Sequence, residues 1–143
     1  ALIQLNTNLN EALDLINQLR MRAATSIGRL KFADGTPTGN FDVQPYVPGK
    51  NCPAWTQEFA LKALRWERRM EFAMEGDRFF DLVRWGIAAE TMNSYISVEQ
   101  NKRVYYRGAR FVRGRDEYLP IPNAQYNFSE GNYVQNPGYG KFN

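Results

Sequence analysis

Apolar residues recur between Trp55 and Glu75 at steps of four, three, four and three: Phe59, Ala63, Trp66, Met70 and Ala73. Only a helix gathers such a series on one face, so this stretch commits the chain to a helix with a covered side. Thr56 is a suitable N-cap, and Gly76 is placed to end the run as a C′ residue. A second helix is predicted from Asp77. There Phe79, Leu82, Val83, Trp85 and Ala89 make a broad apolar face, and the two helices are expected to form a pair bent about Gly76. Upstream, EALDLINQLRMRAA aligns Ala12, Leu15, Ile16 and Leu19, with Arg20 and Arg22 near the carboxyl end where cations suit the helix dipole. Helix is predicted over Asn8–Ala24, and Leu2, Leu5 and Leu9 already fall at helical spacing. The expected fold class is mainly α.

Between these helices, Thr25 to Pro53 carries Pro37, Pro45, Pro48 and Pro53 among glycines and keeps no period. It reads as a long loop, and long loops inside compact domains commonly carry function. Beyond Asn93 the elements shorten. RVYYRGARFV is compatible with a small β-hairpin turning at Gly108-Ala109. EYLPIP is extended, because a residue before proline avoids the helical region. NPGY, residues 136–139, fits a type II turn with Pro137 and Gly138 at its centre.

With 143 residues and no apolar run long enough to span a bilayer, residues 1–143 are expected to form one soluble, compact unit. A net charge of +3 does not by itself call for a polyanionic partner. The chain contains no histidine. That removes serine–histidine and cysteine–histidine nucleophile pairs, histidine zinc sites and the Glu-x-x-His pairs of di-iron bundles. Cys52, the single cysteine, allows no internal disulfide and reads as a small, partly buried apolar residue rather than a nucleophile.

The stretch ERRMEFAMEGDRFFDLVRWG sets Glu67, Glu71 and Glu75 one helical turn apart, where carboxylates repel unless cations intervene. Arg68, Arg69, Arg78 and Arg84 lie within a turn or two of these acids and of Asp81. An ionic network of Glu67, Arg68, Glu71, Glu75, Arg78, Asp81 and Arg84 is the favoured reading. General acid catalysis needs one carboxyl kept protonated, and surrounding arginines act against that.

The run ERRMEFAMEGDRFFDLVRWG, followed by YLPIP and then QNPGY, resembles the carboxyl-terminal signature of SusD/RagB-type nutrient-binding outer-membrane lipoproteins. EALDLINQLRMRAA, ending in an Asn-x-x-Arg-x-Arg-Ala pattern, looks like the helix that precedes it. The resemblance implies a SusD-like protein of tetratricopeptide-like helix pairs, held at the cell surface and catching glycans or other nutrients for a TonB-dependent outer-membrane transporter. It implies no enzymatic activity, catalytic residue, metal or cofactor. Relatives are longer, so the chain is expected to be their carboxyl-terminal portion, with the lipid anchor outside it.

Glycan binding uses flat aromatic faces and fixed polar groups. Phe41, Tyr46 and Trp55, in or beside the Pro-rich loop, are the candidate ligand-binding residues, with Asp42, Gln44 and Asn51 as polar neighbours. The alternative for Tyr46 and Trp55 is a place covering the core. Trp66, Phe79, Phe80 and Trp85 lie on regular helical faces and are expected in the core. The competing function comes from RVYYRGARFVRGR. There Arg103, Arg107, Arg110, Arg113 and Arg115 alternate with Tyr105, Tyr106 and Phe111, as in surfaces that track phosphates and stack bases. An ordinary solvated hairpin explains the same run, and no nucleic-acid partner is expected. A small glycosidase is a third reading, resting only on the supply of carboxylates.

Overall fold

The computed structural model describes residues 1–27 and 30–140. They contain α1 (Leu2–Leu5), α2 (Leu9–Ile27), α3 (Gln57–Glu71), α4 (Arg78–Arg84), α5 (Ala88–Glu99), a 3-10 turn at Val104–Tyr106, and α6 (Asn123–Phe128). Extended pairing among the described residues is confined to isolated bridges, Lys31 with Pro37 and Pro48 with Cys52. The mainly α expectation holds. Two compact units divide the chain, Ala1–Ala73 and Met74–Asn143, and each is described by itself.

In the first unit, α1, α2 and α3 pack on one another. Asn6, in the left-handed conformation at φ 50, closes α1 and separates it from α2, although the leucine spacing runs on across the break. Thr56 caps α3 as expected, accepting a hydrogen bond from the Phe59 amide. Ile3, Ala12, Ile16 and Ala60 form the buried core. The alanines let α2 and α3 approach closely, and full burial of a side chain such as Ile16 contributes roughly 1.5–3 kcal/mol. Tyr46, Trp55, Leu61 and Leu64 cover the cluster.

The covered line of α3 is Ala60, Ala63 and Glu67, one residue round from the predicted stripe. Trp66, expected in the core, is 49% exposed, and Met70, Leu15 and Leu19 are also open to solvent. Periodicity identifies a stripe about half a helix wide, and the neighbouring helix covers one edge of it. Helix α3 also stops at Glu71 rather than Glu75. Met74 at φ 70 and Gly76 at φ 86 turn the backbone out of the helical region beyond it.

In the second unit the predicted single helix is two. Gly86 adopts φ 69, and its amide bonds to the Val83 carbonyl at 2.9 Å while that of Ile87 reaches Leu82 at 3.0 Å. These two bonds satisfy the last carbonyls of α4, and the left-handed residue between them has no Cβ to clash. Ala89, assigned to the earlier helix, belongs to α5. Leu82, Ala88, Ala89 and Phe111 form the core, with Phe79, Val83, Ile87 and Met92 around it. Phe79 thus meets its core expectation and Trp85 is half-buried, whereas Phe80 is 71% exposed.

The hairpin expected at RVYYRGARFV is absent. The Tyr106 amide bonds to Arg103 and the Ala109 amide to Tyr106, so hydrogen bonds between near neighbours coil the segment. Gly108 at φ 75 continues the coil instead of turning a strand pair. At NPGY the turn forms, with Gly138 at φ 80 and the Tyr139 amide directed at the Asn136 carbonyl at 3.4 Å.

Candidate functional site

Extended loop residues have backbone groups that need partners, and here amide side chains supply them. The Asn17 side chain on α2 accepts from the Tyr46 amide at 2.7 Å and donates to the Tyr46 carbonyl at 3.0 Å. Asn51 does the same for the loop itself, accepting from Val47 and donating to Pro45. In the second unit, Asn93 on α5 clasps both backbone groups of Phe111 at 2.9 Å. Gln135 clasps Ile121 in the same way. Each clasp imitates one rung of a sheet, and at Asn17 and Asn93 it lets a helix hold irregular backbone in place.

Arg20 joins the Pro-rich loop to the acids of α3. Its Nε donates to the Gln44 carbonyl at 2.6 Å, and Nη1 pairs with Glu67 Oε1 at 2.5 Å. The guanidinium also lies 4.1 Å from the centre of the Tyr46 ring. Arg22 pairs with Glu71. In the second unit Arg84 pairs with the buried Asp81 at 2.6 Å. Arg68 stacks over Phe72 and Arg78 faces Trp85. Glu75 lies beyond the end of α3 and is exposed.

Glu67 and Glu71 are thus held from α2, by cations distant from them in sequence. A signal was present: the Asn-x-x-Arg-x-Arg pattern is Asn17, Arg20 and Arg22, the three residues that hold Tyr46, Glu67 and Glu71.

Tyr46, Trp55 and Phe59 form a ring cluster with centroids 5.6–5.9 Å apart. Tyr46 and Trp55 are half-buried on the core, and the Trp55 indole donates to the Leu9 carbonyl at 2.9 Å. Burial pushes the Tyr46 phenol above its ordinary value; the Arg20 charge opposes this and Glu67 adds to it. Phe41 is 48% exposed, and its ring folds back over Gly39. Asp42 and Gln44 bond to each other at 2.9 Å and are exposed. A surface of this kind can stack on a ring and offer a few hydrogen bonds.

Sequence reasoning did not find a concavity in the unit Met74–Asn143. It measures about 490 Å³ and is lined by Asn93, Ile96, Ser97, Gln100, Gly108, Ala109 and Arg110. The first four recur at helical spacing along α5, a pattern that marks a face without saying what lies opposite. Among the described residues, no helix is long and apolar enough to cross a membrane. Nor does any group of three or more Asp, Glu, Cys or His converge as metal ligands among them.

Helices joined by clasped, aromatic-bearing loops, with acids held by arginines from a neighbouring helix, define a mainly helical class of protein. The chain belongs to the SusD family, whose model matches residues 1–139. No curated protein matches it. The family is one of glycan- and nutrient-binding proteins rather than enzymes, generally lipoproteins of the outer membrane associated with transporters.

Proposed function

We propose that this protein binds an oligosaccharide or related nutrient at the cell surface and passes it to a partner TonB-dependent outer-membrane transporter, without chemical change. The family match over residues 1–139 carries this reading. In the proposal the ligand meets the loop through Phe41, Tyr46 and Trp55. Two features of the loop support it. Phe41 offers a ring to solvent, and the backbone at Tyr46 is fixed by Asn17, so little ordering entropy is lost on binding. The acids and arginines of α2 and α3 serve as scaffold under the loop, and those of α4 serve as scaffold within the second unit. A lipid anchor outside this segment would hold the protein to the membrane.

Glycan-array binding by the protein, followed by titration of a Phe41→Ala, Tyr46→Ala and Trp55→Ala triple variant, tests the reading. A partly desolvated aromatic contact adds roughly 1–2 kcal/mol, so the variant should bind at least about tenfold more weakly. Unchanged affinity would remove the loop from the binding surface. Failure to bind any oligosaccharide or to co-purify with a transporter would remove the function.

A further inference from the structure

The groove on α5 has a charge character of its own. Arg110 is its one charged lining residue, and no carboxylate lines it. Arg110 is exposed, and it makes no ion pair among the described residues. The neighbouring acids are occupied: Glu99 holds Lys102 and Arg103, and Asp116 holds Arg115. Arg107 and Arg113 likewise lack an ion pair among the described residues, which raises the positive potential along this strap. The remaining polar lining is uncharged. The Gln100 amide oxygen accepts no hydrogen bond among the described residues, and the Ser97 hydroxyl, which donates to Ser94, keeps its lone pairs.

The strap that carries Arg110 is fixed at both ends. On one side the Ala109 amide is tied to the Tyr106 carbonyl at 3.0 Å. On the other, Phe111 is buried in the core and clasped by Asn93. Arg110 therefore lines the groove from a preorganised backbone, together with the hydroxyl and amide groups of Ser97 and Gln100, and such a site loses little entropy on binding.

We propose that this groove is a site for an anionic sugar, with Arg110 receiving its carboxylate or sulfate and Ser97 and Gln100 its hydroxyls. The proposal rests on the glycan-binding reading and narrows it to acidic oligosaccharides. Three properties select that class. The volume of about 490 Å³ lies in the range of small-ligand sites. No aromatic side chain lines the groove, so a neutral sugar would lack the stacking that usually holds it, and a nucleobase would lack its platform. A planar guanidinium matches the two oxygens of an acid group in a way an ammonium does not.

The test is titration of the full chain with a uronate oligosaccharide, a sulfated oligosaccharide, a neutral oligosaccharide and a single-stranded oligonucleotide, at low and moderate salt. Wild-type protein should bind at least one acidic sugar more tightly than the oligonucleotide. Arg110→Gln should weaken that binding by about tenfold or more, and Arg110→Lys should lie between, because the charge remains and the fork is lost. Lys31→Gln removes the same charge elsewhere and should change it by less than about twofold. The uronate and sulfate arms identify which acid group is read. Acidic-sugar binding that survives Arg110→Gln overturns the proposal, as does tighter binding of the oligonucleotide. Binding of neutral sugars alone overturns it while leaving the glycan-binding function standing, whereas binding of no sugar removes both.

Discussion

Arg20 donates to Glu67 at 2.5 Å across a nearly dry contact between α2 and α3, where the two side chains are 15% and 9% exposed. The same guanidinium caps the Tyr46 ring and binds the Gln44 carbonyl, so one cation ties the Pro-rich loop to both helices. Such a pair tolerates the loss of neither partner, since the other is left charged and buried.

Truncation should separate the two arginine–glutamate pairs. Arg20→Ala or Glu67→Ala should destabilise the protein by roughly 3–5 kcal/mol, the range for breaking a buried pair. Glu71→Ala breaks the exposed pair with Arg22 and should cost less than about 1 kcal/mol. Denaturant midpoints at constant slope measure both. Equal costs would mean that burial does not distinguish the pairs.

The amide clasps make a second prediction. Asn17→Ala strands the Tyr46 amide and carbonyl, and Asn93→Ala strands those of Phe111. Each should cost roughly 1–3 kcal/mol, the penalty for unsatisfied buried polar groups. Hydrogen exchange provides the check, with faster exchange at the Tyr46 amide in the first variant and at the Phe111 amide in the second. Acceleration spread evenly over the helices would show global loosening instead.

Tyr46 gives a pH signature. Its folded phenol titrates above the ordinary value of 10.0 because burial disfavours the phenolate. The unfolded chain therefore loses this proton first, and stability present below the unfolded value declines as pH rises from there through the raised folded value. Tyr46→Phe should remove this part of the alkaline decline. An alkaline limb identical in the two proteins would assign it wholly to other groups.

No reducing ends should appear when the protein is incubated with oligosaccharides. Glu67 and Glu71 are each held by an arginine of α2, which engages them in the scaffold rather than in a substrate cleft. Turnover abolished by Glu67→Gln or Glu71→Gln would assign these acids a catalytic role.

What the sequence by itself determined lies within the reach of a few residues. The helices at Leu9–Ile27 and Gln57–Glu71 follow from apolar spacing, and the Thr56 cap and the Asn136–Tyr139 turn from local backbone chemistry. Ordered motifs along the chain also pointed to the family. The tertiary structure decided which residues meet. Arg20 and Glu67 are 47 residues apart, so nothing in their surroundings pairs them until the loop returns α3 to α2. The same holds for the covered edge of each stripe, which made Ala63 core and left Trp66 in solvent. At Val104–Arg110, side chains with strand preference were overruled by hydrogen bonds between close neighbours and by the Asn93 clasp on Phe111. Strand propensity describes a fit to a pleated surface, and no second strand was there to provide one.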